Sequence, residues 1–213
     1  MMKTAIIFDL DNCLAPATAV GEALLEPAFD AVRAVNRGFL NPGRLEEAFA
    51  DCWVHAFDWV ARTHGFSSEM RDAGWAVMRT LEARAPMTGY SDLGILQELE
   101  ARRFLVTSGF RRLQSSKVRA LGIEPLFERV AVDAIDERDR IGKQAIFERI
   151  LADFGLSVDE VLVVGDNPES EIAAGNRLGI TTIQTLRPGV SFSPQARGHI
   201  DSIAALKPLL QAD

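Results

Sequence analysis

The second half of the chain alternates short apolar segments with amphipathic ones, and this alternation limits the possible folds more than any other feature. An apolar run at Ala5–Phe8 is followed, after a long interval, by runs at Phe104–Val106, Arg129–Val132, Val161–Val164 and Ile180–Thr185. Such runs are typical of strands buried in a parallel sheet. Amphipathic segments before, between and after these later runs predict helices over Asp92–Arg103, Arg111–Gly122, Lys143–Gly155, Pro168–Gly179 and Ser202–Leu210. Strands that alternate with helices imply right-handed crossovers and an open parallel sheet with helices on both faces.

The interval between the first and second predicted strands has helical patterns in place of short apolar runs. We predict an α/β core formed by residues 1–14 and 87–213, into which an all-helical block, residues 15–86, is inserted. A chain of 213 residues is long enough for one large domain with such an insertion. The helical patterns in the block, separated by breaks that contain Pro, Gly or Ser, are Glu22–Leu40, Leu45–His64 and Glu69–Ala85.

Charge and cysteine content narrow the possible partners and locations. The net charge of −7 gives no broad attraction to nucleic acid. No apolar run is long enough to span a membrane, and the N-terminus does not have the pattern of a signal peptide. Cys13 and Cys52 form neither a disulfide framework nor a zinc motif, so we expect reduced thiols in a cytoplasmic protein. The scattered histidines are interpreted as structural: His55, His64 and His199.

Polar and acidic residues directly follow three of the predicted strands. Asp9 and Asp11 follow the first, Thr107–Gly109 follow the second, and Gly165–Asn167 follow the fourth. Each ending alone is explained by the frequency of Asp and Asn in turns. In an open parallel sheet, however, ligands bind beyond the carboxyl ends of the strands. The three endings together therefore predict a binding or catalytic site at one edge of the sheet.

Four short segments of the chain share their order and spacing with a known family. The segments are FDLDNCL, LVTSG, GKQAIF and VVGDNPESEIAAG. They resemble the four motifs of the haloacid dehalogenase-like superfamily, and the resemblance covers residues 1–14 and about 87–205. It implies a Rossmann-like core with a helical cap between the first two motifs, where residues 15–86 lie. It also implies hydrolysis of a small phosphate ester with the help of Mg²⁺.

The resemblance assigns the chemistry to the strand-end acids. Asp9 is expected to attack phosphorus and form an aspartyl-phosphate, while Asp11 protonates the leaving oxygen and later activates water. A divalent cation offsets the repulsion between a phosphate ester and a carboxylate, and Mg²⁺ prefers oxygen ligands. The ligands that the resemblance implies are the carboxylates of Asp9 and Asp166 and the main-chain carbonyl of Asp11.

The phosphate group is expected to contact the second and third motifs. Thr107 and Ser108 offer hydroxyl and backbone donors, and Gly109 permits close approach of the chain. The helix that follows directs its N-terminus toward the same place, which favours an anion. Lys143 would supply positive charge to the phosphoryl group. Taken without the resemblance, Lys143 has the simpler interpretation of a solvated surface lysine.

Two residues of the fourth motif are expected to support the site. Asn167 suits the N-cap of the helix that begins at Pro168. Glu171 stands where the family usually has Asp, and we expect it to contact the metal's water shell or the lysine of the third motif. The chain also departs from the family's usual Gly and Thr at Asn12 and Cys13. Asn tolerates the left-handed turn geometry that Gly supplies.

Several functions remain open on the sequence alone. Halide displacement needs no general acid, so the presence of Asp11 favours phosphoryl transfer over dehalogenation. A phosphomutase would use the same core and differ in its acceptor. A non-catalytic protein that binds a phosphate ligand is the third alternative. The identity of the substrate and the oligomeric state do not follow from the sequence, although the cap is expected to control substrate choice.

Overall fold

Six parallel strands form the centre of the protein, whose computed structural model describes residues 2–211. The strands are β1 (Ala5–Phe8), β2 (Arg102–Gly109), β3 (Arg129–Ala134), β4 (Val161–Gly165), β5 (Thr181–Thr185) and β6 (Gly198–Ile200). They lie in the order β3-β2-β1-β4-β5-β6, and each neighbouring pair is parallel. The predicted α/β fold with an open parallel sheet is confirmed, while β6 is a strand that the sequence does not predict.

Both faces of the sheet are covered, because successive side chains of a strand point to opposite faces. Ile7 packs on one face in a buried cluster with Phe147 and Ile150. Its neighbour Ile6 packs on the other face in a cluster with Leu206. The helices that follow the sheet strands are α5 (Arg111–Ala120), α6 (Gly142–Phe154), α7 (Ala173–Leu178) and α8 (Leu206–Gln211). This double cover explains why the inner strands are almost entirely apolar.

The segment between β1 and β2 is helical, as predicted. Its helices are α1 (Glu26–Asn36), α2 (Pro42–Asp51), α3 (Phe57–Thr63) and α4 (Ser68–Met78). They share a buried cluster that includes Phe29, Phe49 and Phe57 and that also reaches Phe110 at the end of β2. Helices α1 and α4 approach closely at Gly74, where an added Cβ would lie 2.8 Å from Val32. The helical block is thus packed against the edge of the sheet where the strands end.

Two of the long helices predicted in this block are broken. The pattern Glu22–Leu40 yields a 3-10 turn at Glu22–Leu24 before α1, and Asn36 ends the helix by bonding both the N–H and the carbonyl of Leu40. The pattern Leu45–His64 is divided into α2 and α3 by residues 52–56. The side chains of Asn12 and Asn167 donate to main-chain carbonyls in this interval. The carbonyls of Trp53 and Val54 therefore accept tertiary hydrogen bonds in place of helical ones.

Other predicted helices are shorter than their sequence patterns. The helix predicted over Asp92–Arg103 is wrong: a 3-10 helix spans Leu93–Glu98, and Arg102 already belongs to β2. The interior Gly94 disfavours an α-helix by about 1 kcal/mol, and Asp92 bonds Arg187 instead of capping the helix. The predicted Glu69–Ala85 helix ends with α4 at Met78. Turns that are not α-helical also open the last two predicted helices: a wider, π-type turn at Pro168–Ile172 precedes α7, and a tighter, 3-10 turn at Ile203–Ala205 precedes α8.

Within residues 2–211, every helix is too short or too polar to cross a lipid bilayer.

Candidate active site

The carboxyl ends of β1, β2 and β4 meet at one cavity, because β1 pairs with β2 on one side and with β4 on the other. The cavity has a volume of about 510 Å³ and is also lined by residues of the helical block. It brings together all of the site residues predicted from the sequence, which are Asp9, Asp11, Thr107, Ser108, Gly109, Lys143, Asp166, Asn167 and Glu171.

A buried lysine links two of the acids. Nζ of Lys143 lies 2.7 Å from Oδ1 of Asp9 and 2.8 Å from Oε2 of Glu171, and all three side chains are buried. Burial raises the pKa of Asp9 to about 7, although the positive charge of Lys143 opposes this rise. Burial alone would lower the pKa of Lys143, but Asp9 and Glu171 raise it above its usual value. Lys143 is therefore a charged group inside the site, and the alternative of a solvated surface lysine is wrong.

The acids form a donor set that fits a hard divalent cation. Carboxylate oxygens of Asp9, Asp166 and Glu171 lie within 4.8 Å of one another, and all three residues are buried. Burial, followed by the charges of Glu171 and Asp9, raises the pKa of Asp166. Together, these three buried carboxylates can carry more negative charge than the single ammonium group of Lys143 neutralises. Since Mg²⁺ is bound by carboxylate oxygens, the residues present are chemically suited to it.

Glu171 occupies its place because Gly165 leaves the space for it. An added Cβ on Gly165 would lie 2.4 Å from Cγ of Glu171. Oε1 of Glu171 also accepts a hydrogen bond from the backbone N–H of Asn167, at 2.6 Å. The side chain of Asn167 accepts from the N–H of Glu169, as expected for the N-cap. Glu171 thus contacts the lysine of the third motif directly and lies among the acids that are able to bind a cation.

The carboxylate of Asp11 is bound by two residues that the sequence analysis missed. Nζ of Lys117 lies 2.9 Å and 2.8 Å from its two oxygens, and Nε2 of Gln114 lies 2.9 Å from Oδ2. Gln114 and Lys117 are one turn apart on α5 and are both buried. The signal in the sequence was a pair of polar residues on the buried face of an amphipathic helix.

In the second motif, only one of the two hydroxyl groups that were expected to bind phosphate is free to do so. Oγ1 of Thr107 accepts from Nε2 of Gln114 at 2.7 Å, which leaves its own hydrogen free to donate. The hydroxyl of Ser108, however, donates to Asp133 at 3.0 Å. Ser108 therefore offers its backbone rather than its hydroxyl to a ligand. Gly109 has a φ of 148°, which favours glycine, and an added Cβ there would lie 3.0 Å from Gln114.

A second charged network connects the sheet with the helical block. Arg140 donates to Asp133 at 2.9 Å and 2.7 Å, and to Asp58 of α3 at 2.5 Å. Burial raises the pKa of Asp133, but the hydrogen bonds from Arg140 and Ser108 outweigh it and hold that pKa below its usual value. This network lies in the wall of the cavity and was not predicted from the sequence.

The interval between α2 and α3, residues 52–56, reaches into the site. Nδ2 of Asn12 donates to the carbonyl of Trp53 at 3.0 Å. Nδ2 of Asn167 lies 3.3 Å from the carbonyl of Val54 and 3.3 Å from Nδ1 of His55. His55 lines the cavity, and burial lowers its pKa. The asparagines that directly follow Asp11 and Asp166 thus bind the same piece of the helical block.

Comparison with known proteins identifies the family. A family profile described as haloacid dehalogenase-like hydrolase matches residues 3–179 of the chain. The protein therefore belongs to the haloacid dehalogenase-like hydrolases. It is similar to a glyceraldehyde 3-phosphate phosphatase of Methanopyrus kandleri, with 26% identity over 206 residues that cover 87% of this chain and 85% of the relative.

Solved structures with the same fold include both phosphatases and dehalogenases. A phosphatase of this family from Thermococcus onnurineus matches with a TM-score of 0.65 and 19% identity over 97% of each chain. A 2-haloacid dehalogenase from Pseudomonas syringae pv. Tomato DC3000 matches with a TM-score of 0.61 and 19% identity over 99% of each chain. These likenesses show the common fold and do not choose between the two reactions.

Proposed function

We propose that the protein is a Mg²⁺-dependent phosphomonoester hydrolase that acts on a small phosphorylated metabolite through an aspartyl-phosphate on Asp9. The observation that carries the proposal is the presence of Asp11 in the same cavity as Asp9 and Lys143. A nucleophilic carboxylate suits both ester hydrolysis and halide displacement, but a second acid beside it is useful only where a leaving oxygen needs a proton. The similarity to a relative named as a glyceraldehyde 3-phosphate phosphatase supports the same choice.

The metal would be held by the carboxylates of Asp9 and Asp166 and the main-chain carbonyl of Asp11. Glu171 lies close enough to these acids to bind a water of the metal or the metal itself. When bound, Mg²⁺ would offset the repulsion between the phosphate ester and the carboxylate of Asp9.

The reaction has two halves, and both use Asp9 and Asp11. In the first, a carboxylate oxygen of Asp9 forms a bond to phosphorus while the bond to the leaving oxygen breaks, and Asp11 gives its proton to that oxygen. In the second, a water molecule gives a proton to Asp11 and attacks phosphorus, which frees Asp9 and releases inorganic phosphate. Lys143 stays charged throughout and keeps the Asp9 carboxylate available.

The phosphate group would be positioned by the carboxyl end of β2 and by Lys143. The Thr107 hydroxyl and the backbone of Ser108 and Gly109 provide donors, and they lie on the opposite side of β1 from Asp166. The phosphoryl group is thereby placed between donors on one side and acids on the other, with Asp9 in the middle.

The helical block would act as a cap. We propose residues 15–86 as the cap domain and residues 1–14 and 87–213 as the core, of which residues 1, 212 and 213 lie outside the described part of the chain. Side chains from residues 52–62 line the cavity, so this part of the cap would exclude water and select the substrate. We also propose a cytoplasmic location, which the two free cysteines support.

The function is tested by measuring phosphate release from 4-nitrophenyl phosphate and a panel of small phosphate esters, with Mg²⁺ and with a chelator. We expect release with Mg²⁺, none with chelator, and none from Asp9→Asn. The matched control is Asp159→Asn, because Asp159 is exposed at the opposite end of β4. Halide release from 2-chloropropionate without phosphate release would show a dehalogenase instead. Transfer of phosphate between positions without release would show a mutase, and binding without turnover would show a non-catalytic protein.

A further inference from the structure

A buried lysine outside the four motifs contacts the proposed general acid. Lys117 is 6% exposed, and its Nζ lies 2.9 Å and 2.8 Å from the two carboxylate oxygens of Asp11. Lysine is almost never buried unless it is paired. In the described part of the chain, Asp11 is the acid that pairs with Lys117. The contact therefore explains why α5 places a charged residue on its inner face.

A glutamine on the same helix completes the contact and extends it. Nε2 of Gln114 lies within hydrogen-bond distance of three oxygens: Oδ2 of Asp11 at 2.9 Å, Oγ1 of Thr107 at 2.7 Å and the carbonyl of Ser108 at 2.9 Å. All three are acceptors, so the amide nitrogen rather than the amide oxygen faces them. Gln114 thus connects the proposed acid with the end of β2 that is proposed to bind phosphate.

We propose that Lys117, together with Gln114, positions Asp11 for proton transfer to the leaving group. The inference rests on the proposed phosphatase function and adds to it a pair of positioning residues on α5. An unrestrained Asp side chain rotates about two bonds, whereas Lys117 and Gln114 hold the Asp11 carboxyl group in one orientation. Oδ2 accepts from both residues, so these contacts remain when Oδ1 carries the proton. Since proton transfer requires hydrogen-bond distance to the leaving oxygen, loss of orientation reduces the rate.

We expect a kinetic effect of the Lys117 variants that loss of a purely structural lysine would not produce. An alkyl phosphate has a poor leaving group that needs a proton, whereas a nitrophenolate leaves without one. Loss of Asp11 positioning therefore lowers kcat/KM for the alkyl ester more than for the aryl ester. A general structural defect lowers both values by the same factor, since both esters use Asp9, Lys143 and the same phosphate site.

The experiment measures kcat/KM of the Mg²⁺-loaded protein for 4-nitrophenyl phosphate and for the fastest alkyl phosphate of the panel. Lys117→Met is expected to lose at least about tenfold more on the alkyl ester than on the aryl ester, in the direction of the bias of Asp11→Asn. Lys117→Gln, which keeps a hydrogen-bond donor, should show a smaller bias and carries the test if Lys117→Met does not fold. Arg119→Met is the control on the same helix, because Arg119 is exposed and pairs with Glu82.

Each outcome decides the question. A bias toward the alkyl ester in the Lys117 variants, absent in Arg119→Met, supports the proposal. Equal losses on both esters, or no loss on either, overturn it while the phosphatase function stands. If the unsubstituted protein releases phosphate from no ester, the proposed function fails, and this inference fails with it.

Discussion

The substitution Gly165→Ala tests how tightly the acid cluster is built. The added Cβ would lie 2.4 Å from both Cγ and Oε1 of Glu171 and 2.6 Å from Cδ, distances that require one group to move. Glu171 is 1% exposed, and its two oxygens are bound by Lys143 at 2.8 Å and by the N–H of Asn167 at 2.6 Å. The Glu171 side chain therefore cannot move away from the added methyl group without breaking one of these two hydrogen bonds.

The expected cost combines two effects. Overpacking of a buried site costs about 1–3 kcal/mol. Displacing Glu171 also breaks a charge-assisted hydrogen bond to Lys143, which is worth about 1.5–3 kcal/mol. We therefore expect Gly165→Ala to lower the free energy of unfolding by about 3 kcal/mol or more, a large effect for one methyl group.

A double-mutant cycle isolates the clash. Urea unfolding would be measured for the unsubstituted protein, Gly165→Ala, Glu171→Ala and the double variant. When Glu171 is already truncated, Gly165→Ala should cost less than about 1 kcal/mol, because the atoms that the new methyl would meet are gone. Gly94→Ala is the control, since nothing lies within 4 Å of a Cβ built there. Additive costs in the cycle, or a Gly165→Ala cost equal to that of Gly94→Ala, would show that the added methyl group does not clash with Glu171.

Three further predictions concern the site and its surroundings. Asn12→Gly keeps a residue that tolerates the φ of 54° but removes the hydrogen bond to the carbonyl of Trp53. KM should therefore rise severalfold with little change in kcat. Steady-state kinetics showing an unchanged KM would contradict a role for this hydrogen bond in holding residues 52–56 at the site. Lys143→Met leaves Asp9 and Glu171 without their cation, so kcat/KM should fall by about 10² or more; near-normal turnover would exclude the proposed contact with the phosphoryl group. Asp133 has a folded-state pKa below the usual value for Asp, so its stabilisation is present above that usual value and is lost as pH falls through the depressed pKa; the difference in unfolding free energy from Asp133→Asn should shrink in that acid range, and a constant difference would be inconsistent with this sign.

The meeting of the residues at the strand ends was predictable, because the local apolar pattern of each strand agrees with its place in the fold. The runs before Asp9 and Asp166 are apolar on both faces, which is expected only for central strands of a parallel sheet. Once these strands are neighbours, the acids that follow them must lie at the same edge. The fold and the meeting of the strand-end residues at one cavity follow from this agreement, whereas Lys143 and Glu171 were assigned to the site through the resemblance to the family.

The partners of these acids were not predictable, because they depend on packing between distant segments. Lys117 contacts Asp11 across 106 residues of sequence, and its own surroundings on α5 resemble those of any amphipathic helix. Arg140 similarly reaches Asp58 across 82 residues. The break between α2 and α3 arises in the same way, since Asn12 and Asn167 bind the main chain there and override a helical pattern.

Asp9 is expected to become phosphorylated during turnover. The most direct test mixes the Mg²⁺-loaded protein with a phosphate ester that it hydrolyses, quenches the mixture in acid and locates the phosphoryl group by peptide mass spectrometry. We expect a transient acyl phosphate on Asp9 that is absent from Asp9→Asn. Steady phosphate release with no phosphoryl group on Asp9, or release by Asp9→Asn at the unsubstituted rate, would contradict it.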